Sequence, residues 1–550
     1  GPHAWKQVAA LRASMYCCWE PATEPDTIHI IREDDMSPGK TLDVPEAELR
    51  PLCNGFPEPE KQPILEDAEL EKPDKAEQPT QETLLTEDTT LAEEAAGEEQ
   101  PPDRPARSGG PTFIVIVNPK SGGNAAGEFL NLPEGGFAVD EPGGVKATVF
   151  SYAITDPSKT GFQHLAREVE AAAEGEWAHC IVAGGDGTVM WTIEEMFKAG
   201  IPVERVSLGT VPFGTGNDFS NVTGWGTSGP HKGFLKEAQD FEGLRQYVRS
   251  WLRAETKSYD IWEVSVQTHK SGYFRFIQDG KKVCTDSHVQ RHHIKELPEG
   301  GLEMSKYMCN YFSLGLDARV GVGFDKMRQK SQLMNKGVYT WEGVKKLLFK
   351  KKGVIANTVD SLRVLAGAAP LEKACEGHDT GVFPEGDAVF TTSNLESAQG
   401  ARLLGNPVNL IFMNIPSISG GLNIWNWSTR SMGTNGSREL LGAPQDFADG
   451  KLECLSYQTG ISFYMEQLRL PPISGRGNRV YSGGGPLRLK FKSPQDREFI
   501  KGTSHCKGRT YMEVDGEFFI VHEPNTIVVR HHCVINVLTN MDPKAGCCAR

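Results

Sequence analysis

Three short apolar runs, each followed at once by a glycine-rich loop, constrain the fold of this 550-residue chain more than any other feature. The runs are FIVIV at 113–117, HCIVA at 179–183 and the segment that reaches Val211; the loops are NPKSGG, GGDGT and PFGTGND. Continuous apolar runs are typical of strands buried on both faces. Helical patterns between them, for example at 161–174, predict a β-α-β-α order and therefore a parallel sheet.

The glycine-rich loops follow the carboxyl ends of these strands, where open parallel sheets bind their ligands. Glycine lets the backbone approach a ligand closely, and the helix after such a loop offers unpaired N–H groups and the positive end of its dipole. Together the three loops predict a phosphate site. It is neither a G-x-x-x-x-G-K-[ST] loop nor a dinucleotide fingerprint, since Met190 stands where the latter requires a third glycine.

The N-terminal fifth of the chain is predicted to be disordered. Residues 58–103 hold 16 Asp and Glu against three Lys, a balance of −13 that nearly equals the −14 of the whole chain. The same segment is rich in Pro, Thr and Gln and almost lacks aromatic residues, so it cannot bury enough apolar surface to fold. The acidity therefore describes this segment and says nothing about the partners of the rest.

Cysteine spacing and hydropathy argue against a zinc-binding module and against a membrane-spanning protein. The twelve cysteines form no C-x-x-C pair and no zinc pattern, and no run reaches the ~18 apolar residues of a membrane span. The sequence has no basic stripe with interleaved aromatic residues, the pattern that would indicate nucleic-acid binding. The adjacent pairs Cys17–Cys18 and Cys547–Cys548 allow acylation, with unmodified thiols as the alternative. We expect a cytoplasmic protein, with a signal peptide left open because the sequence begins Gly-Pro-His.

The loops resemble those of the diacylglycerol kinase family, within the wider group of lipid kinases and NAD kinases. VAGGDGTVMW is similar to the family's nucleotide loop, VPFGTGNDFSNVTGWG to its second loop and NPKSGG to its first. The resemblance continues from about 112 to 538 in the family's order, through YDIWEV, CNYFSLGLDARVGVGFDKMR, NIPSISGGLNIW, DGKLE, VDGEFF and PNTIVVRHHCVINVL. Two departures are the lack of cysteine-rich zinc domains and of an EF-hand pattern, which puts the usual regulation in doubt.

The resemblance implies an α/β fold with a Rossmann-like parallel-sheet catalytic domain followed by a mainly antiparallel β-sandwich accessory domain. With the composition, it predicts an acidic arm at 1–110, a nucleotide-binding domain at 111–258, an accessory domain at 259–540 and a tail at 541–550. Polar insertions are expected near 268–304 and 367–402.

The function implied is ATP-dependent phosphorylation of the free hydroxyl of 1,2-diacylglycerol, which gives phosphatidic acid and ADP with Mg²⁺ as the metal. Two alternatives stay open: a lipid kinase that acts on a sphingoid base or ceramide, and a non-catalytic scaffold that binds lipid or nucleotide. Phosphoryl transfer depends mainly on positioning and charge neutralisation. The residues implied to hold the nucleotide are Asn118, Ser121, Gly184, Gly185, Gly187, Thr188, Gly214, Thr215, Gly216 and Asn217.

Three carboxylates carry the implied chemistry. Asp186, in the GGDGT loop, is placed beside the transferred phosphate or its metal, as base or ligand. Asp515 would serve the metal or phosphates from the second domain, and Glu517 could be the general base for the acceptor hydroxyl, with the choice of base among the carboxylates left open. Asp186 and Asp515 are thus the expected Mg²⁺ ligands, and Asn310 matches a further family motif position.

Each acidic residue also has a structural interpretation. Asp186 could cap the helix that starts at Thr188. Asp515-Gly516 is a strong hairpin signal between two apolar segments. Asp218 either orients Asn217 and its loop or caps the helix that follows.

A basic and apolar stretch at 341–355 could dock on an anionic membrane, since the substrate implied lies in a bilayer. The alternative is an amphipathic helix whose leucines face the core. We expect peripheral membrane association, and the sequence gives no indication of the oligomeric state. The lysines concerned are Lys345, Lys346, Lys350, Lys351 and Lys352.

Overall fold

The structure is a computed structural model, and all of its described residues belong to one compact unit, Glu98–Arg550. The predicted acidic arm up to residue 109, the C-terminal tail and the five lysines of the basic stretch lie outside the described residues. The described ranges are 110–141, 145–230, 233–235, 241–278, 281–284, 294–325, 355–366, 385–392, 407–428, 430–431, 437–467, 477–494 and 508–540.

These ranges contain nineteen strands and eight α-helices. The strands are β1 (Thr112–Val117), β2 (Phe137–Glu141), β3 (Val145–Ala153), β4 (Ala178–Gly184), β5 (Val206–Pro212), β6 (Glu255–Gln278), β7 (Lys281–Cys284), β8 (Ile294–Glu296), β9 (Leu302–Met308), β10 (Tyr311–Gly315), β11 (Val359–Leu365), β12 (Glu385–Thr391), β13 (Asn409–Met413), β14 (Arg430–Ser431), β15 (Leu452–Tyr457), β16 (Asn478–Gly483), β17 (Leu487–Phe491), β18 (Arg509–Val514) and β19 (Glu517–Thr539). The helices are α1 (Thr160–Ala171), α2 (Asp186–Lys198), α3 (Asp218–Val222), α4 (Glu242–Arg253), α5 (Leu316–Asp325), α6 (Ile424–Trp427), α7 (Ser437–Gly442) and α8 (Gly460–Gln467). Short 3₁₀ segments occupy Ser121–Asn124, Ala126–Asn131, Val203–Arg205 and Ile355–Asn357.

The first half is α/β with a parallel sheet, which confirms the prediction from the apolar runs. Strands β3, β1, β4 and β5 pair in parallel in that order, with β2 antiparallel on the β3 edge. Alternate side chains of β1 enter two different cores, with Ile114 and Ile116 on one face and Phe113, Val115 and Val117 on the other. A strand buried on both faces has no need for polar alternation, so its sequence is a continuous apolar run.

The second half is mainly antiparallel. Strand β10 lies between β13 and β18, and β15 extends that arrangement beside β13. One face of these strands buries Phe312, Leu314, Phe412 and Val514 in a single apolar core. The turn between β18 and β19 is Asp515-Gly516, with φ of 46° and 83° at its two residues. The predicted hairpin is therefore confirmed.

Two long strands, β6 and β19, join the halves. They pair antiparallel with each other over most of their length, and the far end of β19 pairs in parallel with β5 through Asn536 and Val537. The predicted domain boundary between residues 258 and 259 falls within β6, and the division into two domains stays a prediction. Among the described residues no helix is long and apolar enough to cross a membrane.

Candidate active site

The three glycine-rich loops lie side by side because β1, β4 and β5 are neighbours in the parallel sheet. The first loop contains two exposed glycines with φ of 60° and 66°. Its Asn118 donates from Nδ2 to the hydroxyl of Thr188 in the second loop at 3.1 Å. The backbone N–H of Ser121 donates to the Asn118 carbonyl at 3.0 Å. Two predicted nucleotide-binding residues, Asn118 and Thr188, thus join the first two loops, and a third, Ser121, shapes the first loop.

The second and third loops touch through their glycines. A Cβ on Gly185 would lie 2.6 Å from the Cα of Gly214, and a Cβ on Gly184 would lie 2.4 Å from the Cβ of Thr188. Gly185 is therefore required for the backbone contact between the two loops, and Gly184 leaves room for the Thr188 side chain. Gly187 differs, because it is exposed and a Cβ there would meet nothing within 4 Å.

Asn217 shapes the third loop from inside. It is 1% exposed and has a φ of 56°, in the left-handed region that asparagine tolerates. Its Oδ1 accepts the Gly214 N–H at 2.8 Å, and its Nδ2 donates to the carbonyls of Gly214 and Thr227 at 3.0 and 2.8 Å. The carboxamide is thus used within the loop, while Thr215 and Gly216 are half-buried beside it.

The Asp186 carboxylate caps a helix, but the helix is α3. Its Oδ2 accepts the N–H of Asp218 at 3.1 Å and its Oδ1 accepts that of Phe219 at 2.9 Å. The structural interpretation from the sequence assigned the cap to the helix that contains Thr188. That helix, α2, begins at Asp186 itself, so the side chain reaches across to the helix that follows the neighbouring strand.

Asp218 binds a loop of the second half of the chain. Its carboxylate accepts the N–H of Gly420 at 2.9 and 3.0 Å and the N–H of Gly421 at 2.9 Å. Both glycines have left-handed φ values, of 82° and 91°. The carboxylate therefore neither caps α3 nor orients Asn217, and it connects the glycine-rich loops to the segment between β13 and α6.

Asp515 is pinned by three backbone N–H groups. Its Oδ2 accepts that of Cys309 at 2.6 Å, and its Oδ1 accepts those of Asn310 and Tyr311 at 2.9 and 3.0 Å. The carboxylate thereby fixes the β18–β19 turn against the start of β10. Glu517 lies two residues further on, with its side chain 56% exposed, and forms an ion pair with Lys306.

Burial and mutual repulsion dominate the electrostatics of this site. Burial, followed by the charge of Asp186, raises the pKa of Asp218 to about 7. Burial raises the pKa of Asp515 to about 6, against the effect of its backbone hydrogen bonds, and it also raises the pKa of Asp186. A Cβ on Gly216 would lie 3.2 Å from Asp186 Oδ2 and 3.5 Å from Asp218 Oδ2, so both oxygens face one space. A proton or a cation in that space would relieve the repulsion.

The sequence does not predict several residues of this site. Gly420 and Gly421 bind Asp218, and Lys306 pairs with Glu517. The side chain of Asn414 donates to the Cys309 carbonyl at 2.9 Å, beneath the backbone that holds Asp515. The adjacent glycines were a usable signal, since Gly-Gly outside a hairpin often marks a close backbone approach. The backbone N–H groups at 309–311 that bind Asp515 are not marked by any glycine pair.

Two family models match the chain. The diacylglycerol kinase catalytic domain matches residues 112–240 and the diacylglycerol kinase accessory domain matches residues 307–518, together more than half of the chain. The first match contains the three loops with Asp186 and Asp218, and the second contains Asp515 and Glu517.

Curated relatives carry the same family name. A diacylglycerol kinase of Caenorhabditis elegans is 24% identical over 369 residues, which are 64% of this chain and 36% of the relative. Diacylglycerol kinase 1 of Oryza sativa subsp. japonica is 26% identical over 431 residues, 74% of this chain and 73% of the relative. The eye-specific diacylglycerol kinase of Drosophila melanogaster is 27% identical over 327 residues, 57% of this chain and 17% of the relative. The chain thus spans much less than two thirds of two of these relatives.

Proposed function

The chain belongs to the diacylglycerol kinase family, and from this premise we propose that it transfers the γ-phosphate of ATP to the free hydroxyl of 1,2-diacylglycerol. The products are phosphatidic acid and ADP. The observation that carries this proposal is that three acidic side chains from distant parts of the sequence act on one another beside the glycine-rich loops, since, besides burial, the charges of Asp186 and of Asp515 both help to raise the pKa of Asp218. Asp186 and Asp218 come from the first half and Asp515 from the second.

In this proposal the loops bind the nucleotide through their backbone. The exposed glycines of the first loop, Gly187 and the first turn of α2 form a surface on which phosphate oxygens accept N–H groups. The positive end of the α2 dipole adds to that attraction. Thr188 and Asn217 act indirectly, because their side chains hold the loops in shape.

The donor set fits Mg²⁺ that keeps part of its water shell. The oxygens of Asp186 and Asp218 that face one space are hard ligands, and their charges repel each other without a cation. Asp218 Oδ2 lies with Asp186 Oδ2 at the space beside Gly216, which favours Asp218 over Asp515 as the second ligand. When bound, the ion would neutralise charge on the transferred phosphate. Within the described residues, no three His, Cys, Asp or Glu side chains form a metal site by themselves.

Glu517 is the proposed general base. It is the exposed carboxylate of the turn that Asp515 pins, so an acceptor hydroxyl can reach it from outside. Asp515 then acts as the anchor of that turn. We further propose that the antiparallel half is a β-sandwich accessory domain that holds the acyl chains, and that the protein works at a membrane surface through its basic stretch.

Turnover of ATP with defined lipids in mixed micelles tests the function. We expect phosphatidic acid from 1,2-diacylglycerol and little product from sphingosine or ceramide. Preference for either of those two would transfer the assignment to the related lipid kinases. The absence of product from any lipid alcohol would leave the non-catalytic scaffold as the function.

Gly187→Ala tests the nucleotide surface separately from the fold. A Cβ at this position meets no protein atom but enters the proposed phosphate space, so we expect the KM for ATP to rise about tenfold. Alanine in an exposed helical position also stabilises by about 0.5–1 kcal/mol, so the melting temperature should not fall. Steady-state kinetics and calorimetry measure both quantities. An unchanged KM would remove Gly187 from the phosphate surface.

Gly185→Ala is the matched comparison. Its Cβ would meet backbone of the third loop, so this variant should lose both stability and activity.

A further inference from the structure

Tyr259 is a buried residue of β6 that lies outside the glycine-rich loops and the acidic turn. It is fully buried, and its ring packs between Phe219, at a centroid distance of 5.0 Å, and Phe447, stacked at 4.9 Å. Phe219 is the residue whose backbone N–H donates to the Asp186 carboxylate. One side of the Tyr259 ring thus supports the binding partner of Asp186.

The hydroxyl of Tyr259 supports the partners of Asp515. It donates to the Cys309 carbonyl at 3.1 Å and lies 3.3 Å from the Asn310 Oδ1. The backbone N–H groups of the same two residues donate to the Asp515 carboxylate. Tyr259 therefore contacts residues that donate hydrogen bonds to Asp186 and to Asp515. It does not hydrogen-bond either carboxylate itself.

We propose that Tyr259 is a positioning residue that holds Asp186 and Asp515 in register across the two halves of the site. The proposal rests on the proposed phosphoryl transfer, which needs groups from both halves at one phosphate. The ring fixes the position of the α3 end, and the hydroxyl fixes the backbone turn at 309–310. A rigid side chain with two such contacts transmits the position of one loop to the other.

The hydroxyl has little to do with stability. When it is removed, the Cys309 main-chain carbonyl still accepts from the Asn414 Nδ2 at 2.9 Å, and the Asn310 Oδ1 loses only a long contact of 3.3 Å, so the cost in stability should stay at about 1 kcal/mol. The phenylalanine ring fills the same space between Phe219 and Phe447. Tyr259→Phe thus removes one positioning contact and leaves the packing of β6 intact.

Tyr457 offers a matched control. It is also fully buried, on β15, and its hydroxyl has no hydrogen-bond partner among the described residues. Tyr457→Phe removes the same atom from a tyrosine of the same burial without the loss of a hydrogen bond. It should leave kcat and the amide exchange at 309–311 unchanged.

We expect Tyr259→Phe to lower kcat for diacylglycerol about tenfold, with the KM for ATP within twofold and the melting temperature close to that of the wild type. Asn310→Ala removes one acceptor of the hydroxyl and also a side-chain hydrogen bond to Asp186, so it should lower kcat by itself. Tyr259→Phe should nevertheless cost less in the Asn310→Ala background than in the wild type. A kcat within twofold of the wild type for Tyr259→Phe would overturn the proposal. Full additivity of the two substitutions would overturn it as well.

Hydrogen exchange separates this inference from the proposed function, because it needs no substrate. The backbone amides of 309–311 should exchange several-fold faster in Tyr259→Phe than in the wild type and in Tyr457→Phe. Unchanged exchange at 309–311 counts against the positioning role whether or not the wild type phosphorylates diacylglycerol. Faster exchange in Tyr259→Phe supports it, and the wild-type lipid assay then decides the reaction by itself.

Discussion

Replacement of Asp186 by alanine is expected to lower kcat by about 10³-fold, as removal of a charged group at a transferring phosphate does. The carboxylate shares one space with that of Asp218, and it also caps α3 through two backbone N–H groups. Both roles are lost together in the alanine variant. Single-turnover measurements with ATP and diacylglycerol give the rate of the chemical step, and thermal unfolding gives the cost to the fold.

Asp156 provides the control that separates a cap from a catalytic group. Its carboxylate also accepts two backbone N–H groups, those of Ser158 and Thr160, each at 3.0 Å, at the start of α1. It is half-buried and belongs to none of the three glycine-rich loops. Asp156→Ala should cost about 1 kcal/mol of stability with kcat unchanged. If Asp186→Ala loses no more activity than Asp156→Ala, the carboxylate of Asp186 is a cap alone.

The local units of this fold could be predicted from the sequence because their signals are short-range. The apolar run at 179–183 became β4 with one more residue at each end, and the helix after it begins at Asp186, where an acidic residue favours the first turn. Asp515-Gly516 forms the expected hairpin because aspartate and glycine tolerate the positive φ values that such a turn requires.

The contacts that assemble the site could not be predicted in the same way, since they join residues far apart. Asp186 binds backbone 32 and 33 positions away, Asp218 binds Gly420 at 202 positions and Asp515 binds Cys309 at 206. Nothing in the spacing of one motif specifies the backbone of another. The family resemblance brought the motifs together in order, but the packing of Gly185 on Gly214 required coordinates.

Asp218→Asn should stabilise the protein while it abolishes activity, and the gain in stability should depend on pH. Burial and the charge of Asp186 raise the pKa of Asp218 in the folded state to about 7. The unfolded chain ionises this carboxyl near pH 4, so the folded state binds the extra proton between these values. Stability therefore falls as the pH rises from about 4 to about 7, and the full penalty remains above that.

Asparagine removes this penalty because it carries no charge, while its Oδ1 can still accept the N–H groups of Gly420 and Gly421. The advantage of Asp218→Asn over the wild type should thus be about 2 kcal/mol larger at pH 8 than at about pH 5. Denaturant unfolding at the two pH values measures it. An equal difference at both values would contradict the repulsion between Asp186 and Asp218.

Glu453→Gln is the control for Asp218→Asn. It shows whether activity is lost only when a buried acid of the site is neutralised, or when any buried acid is. Burial raises the pKa of Glu453, on β15, to about 8, and its Oε1 accepts the Ser482 hydroxyl at 3.0 Å. This substitution should also stabilise the protein more at high pH, by the same argument, with kcat close to that of the wild type. Both variants should gain stability, but only Asp218→Asn should lose activity. That result would show that the repulsion at Asp218 lowers stability because the carboxylate is needed for function. Equal kcat for Asp218→Asn and Glu453→Gln would make Asp218 a structural link between the two halves and nothing more.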